Sequence, residues 1–316
     1  MLSVHLENGE VTVRDIPIPP RPPGFALIRL VLAGICNTDL ELQRGYYNFR
    51  GTPGHEFVGD VVAADNPALI GKRVVGEFNL DCGHCEWCLR GMGRHCPNRT
   101  VLGIVKHPGA FQELFTLPER NLHIVPDDLE TSQAVFTEPL AAGCEILEQV
   151  AIPPASLVAV LGDGKLGLLI AQMLLAHGYA VDHFGRHAGK LDISANAGAR
   201  VHVNTALPET AFDFVVDATG SSAGLDGALR MVRPRGVVIL KSTVHDRASI
   251  DWARVIVNEV TMVGSRCGDF SSALTLLRSS RIDTRAMIAE RLPLARAVEA
   301  FELAGRRGVL KVLLEG

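Results

Sequence analysis

Four cysteines, Cys82, Cys85, Cys88 and Cys96, fall within fifteen residues in the pattern C-x2-C-x2-C-x7-C. Short spacers let four thiolates converge on one tetrahedral ion, and thiolate ligands suit zinc at a closed, structural site. Four of the chain's seven cysteines lie here, which weighs against four unrelated buried thiols. A disulfide pair would suit a secreted protein, but the opening MLSVHLENGEVTVRDIP has no basic stretch followed by an apolar one. With every position taken by a thiolate, such an ion clamps a loop poor in apolar residues and performs no reaction.

A reactive metal would need a different set. GICNTDL carries Cys36, Thr38 and Asp39, and GTPGHEFVGDVV carries His55 and Glu56. Cysteine, histidine and carboxylate, well separated in sequence, are what an open catalytic zinc site uses, with one position left for substrate. Each residue alone has a plainer meaning: a cysteine as a small buried apolar group, a histidine after glycine as a turn residue. Adjacent strand residues face opposite ways, so His55 and Glu56 are not expected to be ordinary ligands together. Glu56 reads instead as a group behind the ligands, or as one that swings in when substrate leaves. A third ligand could come from FTEPLAAGCEI, where Glu138 and Cys144 open an expected helix. Glu138 could equally be a charge at a helix N-terminus, and Cys144 could be core. Chemistry alone leaves that choice open.

A third constellation concerns a coenzyme. The apolar run Leu157–Leu161 enters Gly162-Asp163-Gly164-Lys165-Leu166-Gly167 and then an apolar helix through His177. Glycines at these spacings between strand and helix permit a tight turn and let a pyrophosphate approach the helix N-terminus. The alternation continues through Ala180–Gly185, Phe212–Gly220 and Gly236–Thr243, which predicts a doubly wound parallel sheet. Cofactor choice is written at the end of the second strand, where an acid would bind the ribose hydroxyls of NAD. In YAVDHFGRHAGKL, Asp182 comes too early and Gly185 takes the strand end, followed by Arg186, His187 and Lys190. A small residue followed by cations favours NADP over NAD; the plainer reading is a solvated basic turn.

These groups must be held by something. At 316 residues, 47% hydrophobic and 21% charged, the chain is long enough for two domains with their own cores. Before residue 130 the pattern is of short strands (Val11–Val13, Ala26–Leu32, Phe57–Ala63, Lys72–Glu77) with no amphipathic helix of any length, so the first half reads as an irregular β domain. A net charge of −4 gives no electrostatic reason to expect nucleic acid or an anionic membrane. The longest apolar run, Leu166–Ala176, is interrupted by Gln172 and is far short of the roughly 20 residues of a membrane span. The expectation is a cytoplasmic protein.

The cysteine lobe, GICNTDL, GHEFVG, EPLA and GDGKLG, in this order, together resemble the zinc-dependent alcohol dehydrogenases of the medium-chain dehydrogenase/reductase superfamily. The likeness extends through MVGSRCGDF at Met262–Phe270 to AFELAGRRGVLKVLLEG. It implies an α/β protein: a GroES-like β catalytic domain from 1–142 and 268–316, with the structural zinc lobe at 81–97, and a Rossmann domain at 143–267. By this resemblance Cys36, His55 and Glu56 match the catalytic-zinc positions. Glu138 matches the remaining ligand, as in the sorbitol, threonine and glucose dehydrogenase branches, over Cys144. Thr38 matches the hydroxyl that bonds the substrate oxygen, Asp39 a partner behind the ligands, and Lys311 a basic residue near the coenzyme phosphates. Cys82, Cys85, Cys88 and Cys96 match the structural zinc, making two zinc ions per chain.

The implied activity is reversible oxidation of a secondary, polyol- or sugar-like alcohol with NADP or NAD, in a homodimer or homotetramer. Glu41 stands where many members carry a relay histidine, so proton exit differs or uses this carboxylate. Tyr46, Tyr47, Phe49 and Arg50 could line the substrate pocket or be exposed loop residues. Two other readings are a zinc-free NADPH-dependent reductase and a nucleic-acid-binding zinc module using Arg90, Arg94 and Arg99. The complete ligand set opposes the first; the acidic chain and the missing recognition helix oppose the second.

Overall fold

The computed structural model describes residues 1–242 and 250–316. Contacts divide the chain into two compact units, Met1–Glu138 with Ile288–Gly316, and Pro139–Met287.

The first unit is organised on the strand Phe25–Gly34, in which Ala26, Ile28, Leu30 and Leu32 are buried while Arg29 is exposed. This period-two alternation is that of a strand with one face on a core. Three antiparallel neighbours pair with it: Glu56–Ala63, Leu114–Pro118 and Lys311–Glu315. The register sets Gly34 opposite Glu56 on one side and opposite Leu313 on the other. Three segments remote in sequence, 34–36, 55–56 and 311–313, therefore meet at one end of the sheet. Two short α-helices, Asn37–Gln43 and Glu86–Leu89, lie among the strands of this half. Both are too short to show a helical period. Asn37–Gln43 is fixed at its start by a capping interaction between Asp39 and the Cys36 backbone.

The second unit contains a parallel six-stranded sheet in the order Arg200–Val203, Val181–Gly185, Val158–Leu161, Phe212–Asp217, Val232–Leu240, Thr261–Gly264. Numbered within the unit the order is third, second, first, fourth, fifth, sixth, that of a dinucleotide-binding doubly wound fold. Four consecutive buried residues, Val158 to Leu161, account for the continuous apolar run in its first strand. The expected strand end at Thr243 lies outside the described residues.

The unit boundaries fall at 138/139 and 287/288, against the expected 142/143 and 267/268. The larger shift has a visible cause in Gln172, the polar residue interrupting the apolar helix Lys165–Ala176. Its buried amide accepts from the Asp283 backbone N–H at 2.6 Å and donates to the Asp283 carbonyl at 3.3 Å. That pairing fastens the segment around 283 to the second unit. Among the described residues no helix is long and apolar enough to cross a membrane.

Candidate active site and coenzyme site

Cys36 caps the helix Asn37–Gln43, and its backbone N–H donates to Asp39 Oδ2 at 2.8 Å. Asp39 Oδ1 accepts from the Gly54 N–H at 3.2 Å and lies 3.6 Å from His55 Nδ1. One wholly buried carboxylate thus locks the loop bearing Cys36 to the segment bearing His55. Burial pushes the Asp39 carboxyl upward, and facing His55 only partly offsets this. Burial works against charge on His55 too, but the Asp39 carboxylate and the Cys36 sulfur outweigh it and raise the imidazole to about 10. His55 Nδ1 faces Asp39 at 3.6 Å without a hydrogen bond.

Ligand atoms of Cys36, His55 and Glu56 all lie within 4.8 Å of one another. His55 precedes the strand, which begins at Glu56, so strand alternation does not separate the pair. Glu56 Oε2 accepts a hydrogen bond from Lys311 Nζ, while Glu56 Oε1 is buried with no hydrogen-bond partner among the described residues. A sulfur, an imidazole nitrogen and an unsatisfied carboxylate oxygen form a donor set that fits zinc. Glu138, in the first turn of the helix Thr137–Gln149, stands outside that close trio, although its charge helps raise both His55 and Lys311. Cys144 is buried, and burial pushes its thiol up to about 11. Thr38 Oγ1 lies 3.8 Å from Cys36 Sγ.

The Lys311 side chain is 2% exposed and its ammonium is bound to Glu56, as counter-ion to a cluster of acidic groups in the first unit. Burial disfavours its charge, but Glu56 and Cys36 outweigh burial and raise its pKa. The ammonium also stands 5.7 Å from the centre of the Phe136 ring. Glu41 is engaged by Arg44 one helical turn on. Tyr46 and Tyr47 pack with ring centres 4.0 Å apart and planes tilted by 35°, and Arg50 pairs with Glu7 at 2.9 Å.

In the cysteine lobe, Sγ separations are 3.9 Å for Cys82–Cys88, 3.4 Å for Cys85–Cys88, 3.6 Å for Cys85–Cys96 and 3.5 Å for Cys96–Cys82. Four thiolates at about 2.3 Å from a tetrahedral zinc would stand roughly 3.8 Å apart, so these separations are of the size such an ion needs.

In the glycine turn, Gly162 has φ +110°, and a Cβ there would meet the Ala218 carbonyl at 2.6 Å. A Cβ on Gly167 would lie 1.9 Å from the Gly162 carbonyl, so helix and turn close only with glycine at both places. Beside Gly164, where the helix beginning with Lys165 and Leu166 is capped, a Cβ would meet open space. At the end of the second strand Arg186 is exposed, and His187 and Lys190 are half-buried. A residue overlooked in the sequence is Asp163: its Oδ2 accepts from the backbone N–H groups of Arg186 at 2.7 Å and His187 at 2.6 Å, and from His187 Nδ1 at 2.9 Å. The only hint was an acid placed between two glycines of the turn.

Comparison with known proteins agrees with these two units. Residues 22–127 match the alcohol dehydrogenase GroES-like domain, and residues 166–279 match the zinc-binding dehydrogenase domain. D-altritol 5-dehydrogenase of Agrobacterium fabrum is 28% identical, the match covering 94% of this chain and 93% of the relative. The solved structure of an alcohol dehydrogenase from Thermus sp. ATN1 superposes with a TM-score of 0.91 at 30% identity, covering 100% of this chain and 99% of its own. A zinc-binding dehydrogenase structure from Sinorhizobium meliloti 1021, bound to NADP, gives 0.91 at 27% identity, with 100% and 99% coverage. The chain belongs to the zinc-binding alcohol dehydrogenase family of medium-chain dehydrogenases.

Proposed function

We propose that the protein is a zinc-dependent oxidoreductase that interconverts a hydroxyl-rich secondary alcohol and its ketone, with NADP preferred to NAD. The observation that carries this reading is the convergence of Cys36, His55 and Glu56, with an unsatisfied carboxylate oxygen among them. Cys36 and His55, completed by Glu56 or Glu138, would hold the catalytic ion, and the four lobe cysteines a structural one. When bound, the catalytic zinc supplies Lewis-acid polarisation of the substrate oxygen, and the nicotinamide supplies hydride exchange. The chain's own residues do the rest. The Asp39 carboxylate, 3.6 Å from His55 Nδ1, offsets positive charge on the ring, and the Thr38 hydroxyl, beside Cys36, would take the substrate's proton. Lys311 balances negative charge in a cluster that burial would otherwise penalise.

The polyol preference is supported by the D-altritol relative and by the Glu138 position. The coenzyme preference is supported by the cations after Gly185 and by the NADP-bound relative. A cytoplasmic setting and a homodimer or homotetramer complete the proposal, the first resting on thiolates kept as metal ligands and the second on family analogy.

The test is coenzyme reduction by the zinc-loaded protein over a panel of polyols, sugars and simple alcohols, repeated with Cys36→Ala. Turnover with polyols that disappears in Cys36→Ala while NADP still binds supports the reading. Undiminished turnover in that variant overturns it.

A further inference from the structure

The end of the second Rossmann strand is where an acid usually selects NAD, and here that place is filled in an unusual way. Gly185 cannot bear a side chain, because its Cβ would lie 2.7 Å from Asp163 Cβ and 2.8 Å from Asp163 Oδ2. The carboxylate occupying this space comes from the glycine turn, 22 residues earlier. It is also already committed, since one oxygen accepts from two consecutive backbone N–H groups and from the His187 ring. The Asp163 side chain is 13% exposed. Burial opposes its ionisation, but the three donors prevail and hold its pKa below the usual carboxylate value.

The turn is gripped from the other side as well. Asn204 donates its backbone N–H to the Gly185 carbonyl at 3.0 Å and its Nδ2 to the Arg186 carbonyl at 3.0 Å. Between these two clamps the backbone from 185 to 187 is fixed, while the Arg186 guanidinium and the Lys190 ammonium have no ion-pair partner among the described residues. A turn whose backbone is doubly bonded and whose cations are uncommitted is preorganised for a dianion, since little is left to order when the anion arrives. The helix that follows, Ala188–Asn196, has no acid in its first turn to oppose one.

We infer that Asp163 is a specificity-determining positioning residue: by clamping the Arg186–His187 turn it presents Arg186, His187 and Lys190 to the 2′-phosphate of NADP. The inference deepens the coenzyme reading above and rests on it. A carboxylate usually taken as an NAD signal here acts the opposite way, because Oδ2, the oxygen it brings to the strand end, is taken by the turn's own N–H groups.

Dissociation constants for NADP and for NAD are measured by calorimetric titration of zinc-loaded wild type, Asp163→Asn and Asp163→Ala, with a melting curve for each. In Asp163→Ala the NADP affinity should fall about tenfold more than the NAD affinity, the kinetic loss appearing in the KM for NADP. Asp163→Asn, whose amide oxygen still accepts N–H bonds, should fall between Asp163→Ala and wild type. Equal losses for both coenzymes, which a damaged glycine turn would give, overturn the inference. So does a gain in NADP affinity, which would mark Asp163 as a repelling charge. Wild type binding NAD more tightly than NADP would instead sink the coenzyme reading, while the change in ratio between wild type and variants would still judge Asp163.

Discussion

Gly34 leaves empty the space that Glu56 fills: a Cβ on Gly34 would stand 2.5 Å from Glu56 Oε2 and 3.2 Å from Lys311 Cδ. The two residues are cross-strand partners, so this close approach is a product of sheet register. Gly34→Ala should therefore displace the Glu56–Lys311 pair and destabilise the protein by about 1–3 kcal/mol, the usual cost of overpacking. Zinc content should fall with it, because Cys36 lies two residues on. Urea titration together with metal analysis checks both; a variant with wild-type midpoint and metal content would show that the pair can relocate freely.

Lys311→Met removes the cation and leaves Glu56 charged and buried. Stranding one member of a buried pair costs about 3–5 kcal/mol. Adding Glu56→Gln to Lys311→Met should recover part of that loss, which a double-mutant cycle in denaturant would reveal. Strict additivity of the two substitutions would mean that the pair is not coupled.

Cys88→Ser opens the cysteine lobe without touching Cys36 or His55. The expected result is a lower melting temperature and one zinc fewer per chain, with the surviving folded fraction still turning over substrate. If the hydride step slows while stability is retained, the lobe has a role beyond clamping its loop.

Asp163 gives a pH signature. Its folded pKa is depressed, so its stabilising contribution is present above the ordinary carboxylate value of 3.8 and is lost as pH falls through the folded value. Wild type should be more stable than Asp163→Asn at neutral pH, by a margin that stays constant down to about pH 4 and then shrinks. Chemical denaturation at a series of pH values measures the margin. A difference that widened on acidification would contradict the sign.

What could be read from the sequence was what lies close together in it. Cys82 to Cys96 and Gly162 to Gly167 carry their chemistry in short spacings, and the strands expected at Ala26–Leu32 and Phe57–Ala63 occur as Phe25–Gly34 and Glu56–Ala63. The helix Asn37–Gln43 escaped because it is held by a capping interaction and by tertiary contacts of Asp39, neither of which leaves a periodic trace. The contacts of Lys311 and Asp163 escaped for another reason. Each is defined by a partner chosen through sheet register, Glu56 in one case and the 185–187 turn in the other, and register is not written locally.

The pairing of Glu56 with Lys311 spans 255 residues, and the whole second unit is encoded within that interval. During synthesis, at roughly 5–20 residues per second, Glu56 leaves the ribosome some 13–50 seconds before the lysine that neutralises it. The first unit cannot add the strand Lys311–Glu315 to its sheet until the second unit has been made, and the latter has that interval in which to fold. The order of translation therefore puts the neutralising lysine, and with it the completed Glu56–Lys311 pair, after the whole second unit in synthesis.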